Sequence, residues 1–335
     1  MAQDIKFNFK DNLSELKIVY DLDLDIEMYK IPKEGLINLS KKYPVKFYPI
    51  NVPNKPKYLN DAHIYWGNRI EPYMLELMPK VDWVHFGSVG TDRLNPYSVK
   101  TRDLTISSSK GLVTNAMISY VVSLMGVFSK RLDVFFKDNK KPFTREIYNN
   151  YFNELKNYDE LKVLIIGLGN IGLELAKRLN SLGVVVDAVS RKRNNYTFIR
   201  RNFRFEESFD SLNQYDFIVS LLPDNNSTRN MINFEFFQKM SPTSSFINIG
   251  RGSTVNENDL VSALDKNLFC RAILDVSKVE PLEESSILFN NSKIFLSPHI
   301  AAFSPSYWVE ELNLFEYNLR CYINNEIYKM KNLVK

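Results

Sequence analysis

Three side chains of complementary chemistry, Arg251, Glu280 and His299, each follow a stretch with the apolar, β-branched composition of a buried strand. An imidazole titrates near neutrality, so His299 can deliver or accept a proton. Glu280 can hold the second ring nitrogen and raise the pKa of the imidazole, and the planar guanidinium of Arg251 can grip a carboxylate and a ketone oxygen together. Reduction of a 2-oxo acid needs these groups together with a hydride, which a nicotinamide supplies.

The strands that would position these side chains alternate with helical patterns in the second half of the chain. We expect strands at 216–222, 245–249, 271–276 and 293–296, and a helix at 256–264 capped by Asn256. The carboxyl ends of parallel strands meet at one sheet edge, where α/β sheets bind ligands. The three side chains should therefore gather there, with Asp275 placed to accept a hydrogen bond from a nicotinamide amide. Taken singly, each also fits a structural role, and His63 and His85 are interpreted as structural.

A glycine motif of G-x-G-x-x-G spacing, Gly167, Gly169 and Gly172, follows the apolar strand 163–166 and opens a helical pattern. Gly167 permits a sharp turn, Gly169 lets the backbone approach a pyrophosphate, and Gly172 lets the helix pack on the strand. The helix N-terminus then presents free N–H groups to the phosphates. The helix is expected to bury one apolar face formed by Leu175, Leu179 and Leu182. The alternative is an ordinary strand–turn–helix that needs small residues.

The next strand ends in a basic turn that favours one cofactor. Sites for the unphosphorylated dinucleotide usually place Asp or Glu here, about 20 residues after the glycines, to hold the ribose 2′-hydroxyl. This chain has Ser190, followed by Arg191, Lys192 and Arg193. A hydroxyl and cations suit a 2′-phosphate, which a carboxylate would repel. The sequence therefore predicts NADP(H), with NAD possible; the alternative is a solvated basic turn, and Asp187, inside the strand, is interpreted as structural.

Bulk composition is that of an ordinary globular protein, with 335 residues, 44% hydrophobic, 24% charged and a formal net charge of +4. This charge gives no case for nucleic acid or a membrane surface as partner. The first residues lack the apolar core of a signal peptide, and no apolar run approaches transmembrane length. Cys270 and Cys321 are too few for a disulfide framework or metal cluster and are expected to be buried thiols of a cytoplasmic protein. No metal is predicted.

The first part of the chain predicts a second, smaller parallel α/β sheet. Strands are expected at 16–20, 45–48, 62–66 and 81–86, with helices at 35–42 and 70–78. The last strand runs into a glycine-containing loop, 87–92, which can bind an anion through its backbone N–H groups or be a flexible turn. A long apolar helix is expected near 117–132, an aromatic association surface at 137–160, and a helix at 304–323 that returns to the first unit.

The motifs of the second half resemble the D-isomer-specific 2-hydroxyacid dehydrogenases. The matching segments occur in the family's order and spacing: Gly167–Gly172, Leu222-Pro223 with Thr228-Arg229, Asn248–Gly252, Leu274–Val276 with Glu280–Leu282, and Ser297–Ala301. The first part matches more loosely, mainly at 87–92 and 115–124. Within the family, the basic turn at 190–192 is similar to the NADPH-using glyoxylate/hydroxypyruvate reductase type.

This resemblance implies an α/β fold of two domains, a flavodoxin-like substrate domain and a Rossmann dinucleotide-binding domain, with the active site in the interdomain cleft. The expected boundaries are 1–110 for the substrate domain, 111–300 for the NAD(P)-binding domain and 301–335 for a helix returning to the substrate domain. A homodimer acting on a small 2-oxo acid is the expected assembly.

The resemblance also implies roles for individual residues. Arg251 would bind substrate, Glu280 would pair with the histidine, and His299 would be the acid/base. The backbone of Ser88, Val89 and Gly90 would hold the substrate carboxylate. The cofactor would contact the following residues: Gly167, Gly169, Asn170, Ile171, Gly172, Ser190, Arg191, Lys192, Leu222, Pro223, Thr228, Ile249 and Asp275.

Several positions depart from the family pattern and leave the substrate open, among them Ser119 where glutamate is common and Ser277 where phenylalanine is frequent. The leading interpretation is an NADPH-dependent reductase that forms a D-2-hydroxy acid. The alternatives are a nucleotide-sensing interaction protein, similar to co-repressors of this fold, and oxidation of another small anion such as formate or phosphite.

Overall fold

The structure is a computed structural model that describes residues 15–22, 30–50, 58–68, 70–88, 102–137, 145, 149 and 152–334. The described residues form two compact units, each with its own sheet. Unit 1 takes the chain up to Val113 and again from Phe303, whereas unit 2 runs without interruption from Thr114 to Ala302. Of the helices in these ranges, none combines the length and apolarity that crossing a bilayer requires.

Unit 1 contains a five-stranded parallel sheet of order β2-β1-β3-β4-β5, which is the flavodoxin-like order. Its elements are β1 (Leu16–Asp21), α1 (Lys33–Lys42), β2 (Val45–Pro49), β3 (Ile64–Gly67), α2 (Pro72–Leu77), β4 (Trp83–Phe86) and β5 (Thr105–Ser108). The inner strands β3 and β4 are buried along their whole length, as expected for a parallel sheet covered on both faces. The four predicted strands are present, but β5 was missed because Thr-Ile-Ser-Ser has little apolar character.

Unit 2 contains a seven-stranded parallel sheet of order β12-β11-β10-β9-β6-β7-β8, a Rossmann order with one additional strand. Its strands are β6 (Lys162–Ile166), β7 (Val185–Val189), β8 (Arg201–Phe203), β9 (Phe217–Ser220), β10 (Ser245–Asn248), β11 (Arg271–Leu274) and β12 (Ile294–Leu296). Its helices are α3 (Thr114–Ser129), α4 (Leu132–Lys137), α5 (Asn170–Ser181), α6 (Phe234–Gln238) and α7 (Glu257–Asp265). The predicted cap of α7 is confirmed, because the Asn256 side chain accepts a hydrogen bond from the Asp259 N–H.

Helix α8 (Tyr307–Ile323) belongs to unit 1, and its buried face completes the core there. Phe315 stacks on Trp66 with the ring centroids 3.9 Å apart, and it also stacks on Trp83 at 5.3 Å. Leu319 and Tyr322 belong to the same core. The last long helix therefore forms part of the core of unit 1.

Two expectations about burial are wrong. Leu182 follows the last residue of α5 and is 39% exposed, whereas Leu175 and Leu179 are fully buried as expected. The helical face therefore ends one turn earlier than the spacing of the leucines suggested. Cys270 is only partly buried, while Cys321 is buried, and both thiols are free.

Candidate active site

The strand ends of unit 2 place the predicted site residues in a row along one sheet edge. His299 follows β12, Glu280 follows β11 and Arg251 follows β10, and these three strands are neighbours. The glycine motif follows β6 and Ser190 follows β7, further along the same edge. Four strand intervals of about 4.8 Å separate β11 from β7, or roughly 19 Å. The edge therefore has room for an extended dinucleotide laid across the strand ends.

His299 and Glu280 form a direct contact, with 2.7 Å between His299 Nδ1 and Glu280 Oε2. The other oxygen, Oε1, accepts the Ser277 backbone N–H at 3.0 Å, which fixes the carboxylate plane. The hydrogen bond to Glu280 raises the pKa of His299 above its ordinary value, against the opposing effect of burial. Burial pushes the pKa of Glu280 up, but the hydrogen bonds from His299 and Ser277 outweigh it and the pKa lies below its usual value.

Arg251 lies at the start of the 3₁₀ turn Gly252–Thr254, directly after β10. Its backbone carbonyl accepts hydrogen bonds from Asn248 Nδ2 at 3.1 Å and Thr254 Oγ1 at 2.7 Å. The guanidinium donates to the Gly250 carbonyl at 2.9 Å. Its positive charge also acts on Glu280 and His299. The three predicted groups are thus close enough for the charge of Arg251 to affect the pKa values of Glu280 and His299.

Gly252 sets the distance between the loop of Arg251 and the loop of Glu280. A Cβ at this position would lie 2.0 Å from the Ser277 carbonyl carbon and 2.5 Å from the Lys278 backbone nitrogen. Only glycine permits this approach of two backbones. The second loop is also tied to α7, because the Lys278 N–H donates to Glu257 at 2.7 Å.

Asp275, expected to contact a nicotinamide amide, is 2% exposed and organises the loop that carries His299. Its carboxylate accepts hydrogen bonds from Ser297 Oγ at 2.6 Å and from the backbone N–H groups of Ile300 and Ala301, both at 2.9 Å. Sequence reasoning missed this role. A buried aspartate one residue beyond a strand was the available signal.

The glycine motif has the geometry that a dinucleotide needs. Gly167 has φ +105°, and a Cβ on Gly172 would lie 2.1 Å from the Gly167 carbonyl oxygen, so helix and turn are in direct contact. At Gly169, by contrast, a Cβ would meet no described atom within 4 Å. The space in front of this backbone is open, and the cap residue of α5 is Gly169 itself, which has no side chain to cover the helix N-terminus. Both features fit a bound pyrophosphate.

The basic turn after β7 is held by hydrogen bonds that the sequence did not reveal. Ser190 Oγ lies 2.6 Å from the Lys192 carbonyl oxygen and 2.9 Å from Asn202 Oδ1, two acceptors that share its one proton. The amide of Asn202, on β8, reaches the carbonyl of Asn194 at 3.3 Å. Arg191 and Lys192 are exposed, whereas Arg193 pairs with a neighbouring glutamate. Asp187 is fully buried and binds Arg200, Arg201 and Tyr215, which fits its structural interpretation.

The remaining predicted cofactor residues lie on neighbouring loops of this edge. Leu222 and Pro223 follow β9, and the Thr228 hydroxyl closes their loop by donating to the Pro223 carbonyl at 2.6 Å. Ile249 follows β10 and is buried. At the start of α5, the Asn170 side chain donates to Thr114 Oγ1 at 3.0 Å, and Ile171 lies in the first turn.

In unit 1, the predicted substrate loop begins after β4 with Gly87 and Ser88. The Gly87 carbonyl accepts a hydrogen bond from the Tyr307 hydroxyl at 2.7 Å. Val89 and Gly90, the other predicted members of this loop, lie outside the described residues. Directly beneath it, His85 contacts Glu311 at 3.2 Å, and both side chains are fully buried. The sequence indicated a structural histidine here but not its partner.

Comparison with known proteins places this geometry in a class of dinucleotide-dependent oxidoreductases. Residues 137–301 match the family model described as D-isomer specific 2-hydroxyacid dehydrogenase, NAD binding domain. A glyoxylate/hydroxypyruvate reductase B of Salmonella paratyphi A is 30% identical over 232 residues, which cover 68% of this chain and 71% of the relative.

Solved structures agree at the level of the fold. A D-isomer specific 2-hydroxyacid dehydrogenase family protein from Klebsiella pneumoniae 342 superposes with a TM-score of 0.79 at 22% identity, covering 97% of this chain and 99% of that one. An NADPH-dependent glyoxylate/hydroxypyruvate reductase from Sinorhizobium meliloti, solved with NADP and sulfate, gives 0.75 at 20% identity, covering 96% and 98%. The chain belongs to the D-isomer-specific 2-hydroxyacid dehydrogenase family of NAD(P)-dependent oxidoreductases.

Proposed function

We propose that this protein is an NADPH-dependent reductase that converts a small 2-oxo acid to the D-2-hydroxy acid. The contact between His299 and Glu280, with Arg251 on the adjacent loop, carries this proposal. It supplies a proton donor, a group that keeps the donor protonated, and a cation for the substrate carboxylate. Glyoxylate, hydroxypyruvate and somewhat larger 2-oxo acids are the candidate substrates.

The residues act as follows. When bound, a nicotinamide cofactor would supply the hydride. Glu280 holds His299 Nδ1, so the other ring nitrogen faces the substrate and donates a proton to the ketone oxygen. The raised pKa of His299 keeps the imidazole charged to higher pH than a free histidine. Arg251 grips the carboxylate through its planar fork and fixes the carbonyl carbon for attack. By the family resemblance we also assign the backbone of Ser88, Val89 and Gly90 to the substrate carboxylate.

The basic turn at 190–192 supports the choice of NADPH. A 2′-phosphate carries two negative charges that Arg191 and Lys192, both exposed at the strand end, can neutralise. The Ser190 hydroxyl contacts the Lys192 carbonyl within the same turn, so we propose that Ser190 stabilises this turn in addition to lining the cofactor site. The related reductase from S. meliloti was solved with NADP.

We also propose a homodimer that uses the aromatic segment 137–160, where Phe152 is 76% exposed.

Loss of NADPH absorbance with a panel of 2-oxo acids tests the reaction directly. We expect turnover with NADPH and weaker turnover with NADH. Arg251→Ala should lower kcat/KM by about 10²–10³-fold, because a bidentate, charge-assisted contact is lost. Arg178→Ala, which removes an exposed arginine of α5, is the matched control and should retain full activity. Tight NADPH binding without turnover on any 2-oxo acid would instead support a sensing protein, and turnover of formate or phosphite would support oxidation of those anions.

A further inference from the structure

The backbone of His299 adopts an unusual conformation that its surroundings must hold in place. Its φ is +56°, in the left-handed region. Residues other than glycine seldom adopt it, because Cβ crowds the following carbonyl oxygen, although asparagine, aspartate and histidine do so more often than the rest. Such a conformation persists only where neighbouring groups fix it. What fixes this loop therefore also fixes the imidazole against Glu280.

Asp275 makes most of the contacts that fix the loop. Its carbonyl accepts the His299 N–H at 2.9 Å, and its carboxylate accepts the N–H groups of the next two residues, Ile300 and Ala301. Three consecutive backbone N–H groups thus point at one buried residue. The fourth contact comes from the other side of the histidine, where Ser297 Oγ donates to Asp275 Oδ1.

Tyr120, on helix α3, completes this set of hydrogen bonds through its contact with Ser297 Oγ. The hydrogen bond from Ser297 to Asp275 determines which of the two hydroxyl groups donates. Ser297 has one hydroxyl proton and gives it to a carboxylate, which can only accept, so the tyrosine must donate to the serine. The chain of donors therefore runs from Tyr120 to Ser297 to Asp275. Burial raises the pKa of Tyr120, so its hydroxyl keeps its proton across the range in which the enzyme would be assayed.

We propose that Tyr120 is a positioning residue for His299. Its hydroxyl orients Ser297, which with Asp275 holds loop 297–301 in the strained conformation that brings the imidazole onto Glu280. Helix α3 is anchored beside the same strand independently, since Phe128 packs on Phe295 of β12 with centroids 4.9 Å apart. The phenol is therefore delivered from a helix that is fixed to the strand carrying the loop. The effect on turnover rests on the proposed function, but the effect on the imidazole does not.

Tyr120→Phe tests this proposal, and Tyr158→Phe is its matched control. The Tyr158 hydroxyl also donates to α3, at the Val122 carbonyl 2.8 Å away, but leads to no catalytic loop. We expect Tyr120→Phe to lower kcat by about 3- to 10-fold, the scale of one hydrogen bond, with the KM for NADPH unchanged. Tyr158→Phe should leave kcat unchanged.

The titration of the His299 ring protons, followed by NMR and assigned with His299→Asn, gives a second readout that needs no turnover. Glu280, Asp275 and Arg251 are the charged groups that act on this ring. A loosened loop weakens the contact to Glu280, so the pKa of His299 should fall towards its ordinary value in Tyr120→Phe and stay raised in Tyr158→Phe.

Ser297→Ala breaks the same chain at its middle and should reproduce both effects if Tyr120→Phe folds poorly. Wild-type kcat together with a wild-type His299 titration in both variants would overturn the positioning role, even if the enzyme reduces 2-oxo acids. Conversely, an inactive wild type whose His299 titration still responds to Tyr120→Phe would contradict the proposed reaction and leave the positioning role supported.

Discussion

Two histidine–glutamate pairs in this protein have the same chemistry and opposite surroundings. In unit 1, His85 and Glu311 are both 0% exposed and lie 3.2 Å apart. In unit 2, the side chains of His299 and Glu280 are 45% and 33% exposed and lie 2.7 Å apart. One pair is closed inside a core, and the other stands at the carboxyl edge of a sheet.

The two pairs also differ in how many other groups bind them. Glu311 also accepts hydrogen bonds from Trp66 Nε1 at 3.0 Å and Ser109 Oγ at 2.5 Å, and His85 Nδ1 meets Ser107 Oγ at 2.6 Å. Both ring nitrogens of His85 are therefore engaged, and the side chain is not exposed to solvent. Pairing a histidine with a carboxylate is thus not enough for acid–base catalysis, which also needs a nitrogen that a substrate can reach.

The sharpest test of this contrast is His299→Ala. Removing the proton donor should lower kcat by roughly 10²–10⁴-fold, the usual scale for general acid–base catalysis, with little change in Tm. His63→Ala, which removes a half-buried histidine of unit 1, is the control. Full turnover in His299→Ala would show that the exposed pair has no catalytic role.

Glu311→Ala should have its main effect on stability, with a large decrease in the free energy of unfolding, whereas His299→Ala has its main effect on kcat. It leaves the buried donors of Trp66 and His85 without their acceptor, at a cost of about 3–5 kcal/mol. Glu316→Ala on the same helix removes a partly exposed carboxylate that pairs with Lys42 and should cost no more than about 1 kcal/mol. Calorimetric Tm values measure both, and equal shifts for the two variants would contradict the contrast.

Glu280→Gln should change the pH dependence of turnover. The carboxylate raises the pKa of His299, and reduction needs the protonated ring, so activity is present below that pKa and lost as pH rises through it. The amide lets the pKa fall, which moves the alkaline limb of the kcat profile to lower pH and lowers kcat above it by roughly tenfold. Glu283→Gln, an exposed change in the same segment, should keep the wild-type profile. An unchanged alkaline limb in Glu280→Gln would show that the contact between Glu280 and His299 does not set the pH dependence of kcat.

The smallest expected effect lies at the far end of the unit 2 sheet edge, away from His299 and Glu280. Asn202→Ala loosens the turn that presents Arg191 and Lys192, so the KM for NADPH should rise about 3- to 5-fold. The KM for NADH and kcat should stay unchanged, because NADH has no 2′-phosphate. Asn213→Ala, which is exposed, is the control. A parallel rise in both KM values would show a general loss of cofactor binding.

The sequence was sufficient for much of the fold and for the position of Arg251, Glu280 and His299 after neighbouring parallel strands, whose carboxyl ends share one edge. It was insufficient for strands β5 and β8, whose polar residues lack the apolar runs by which buried strands are recognised. It also missed contacts between distant residues. Tyr120 and Ser297 lie 177 positions apart, and His85 and Glu311 lie 226 apart, so no local spacing connects them.

The discontinuity of unit 1 has a consequence for biosynthesis. Unit 2 is one continuous segment, whereas the core of unit 1 needs Phe315, Leu319 and Tyr322 of the last long helix. A nascent chain leaving the ribosome can therefore complete the nucleotide-binding unit while the earlier segment still exposes Trp66 and Trp83. Those indoles are covered only after residues 307–323 have been synthesised, so slow elongation through this segment would prolong the time in which chaperones recognise the unfinished half.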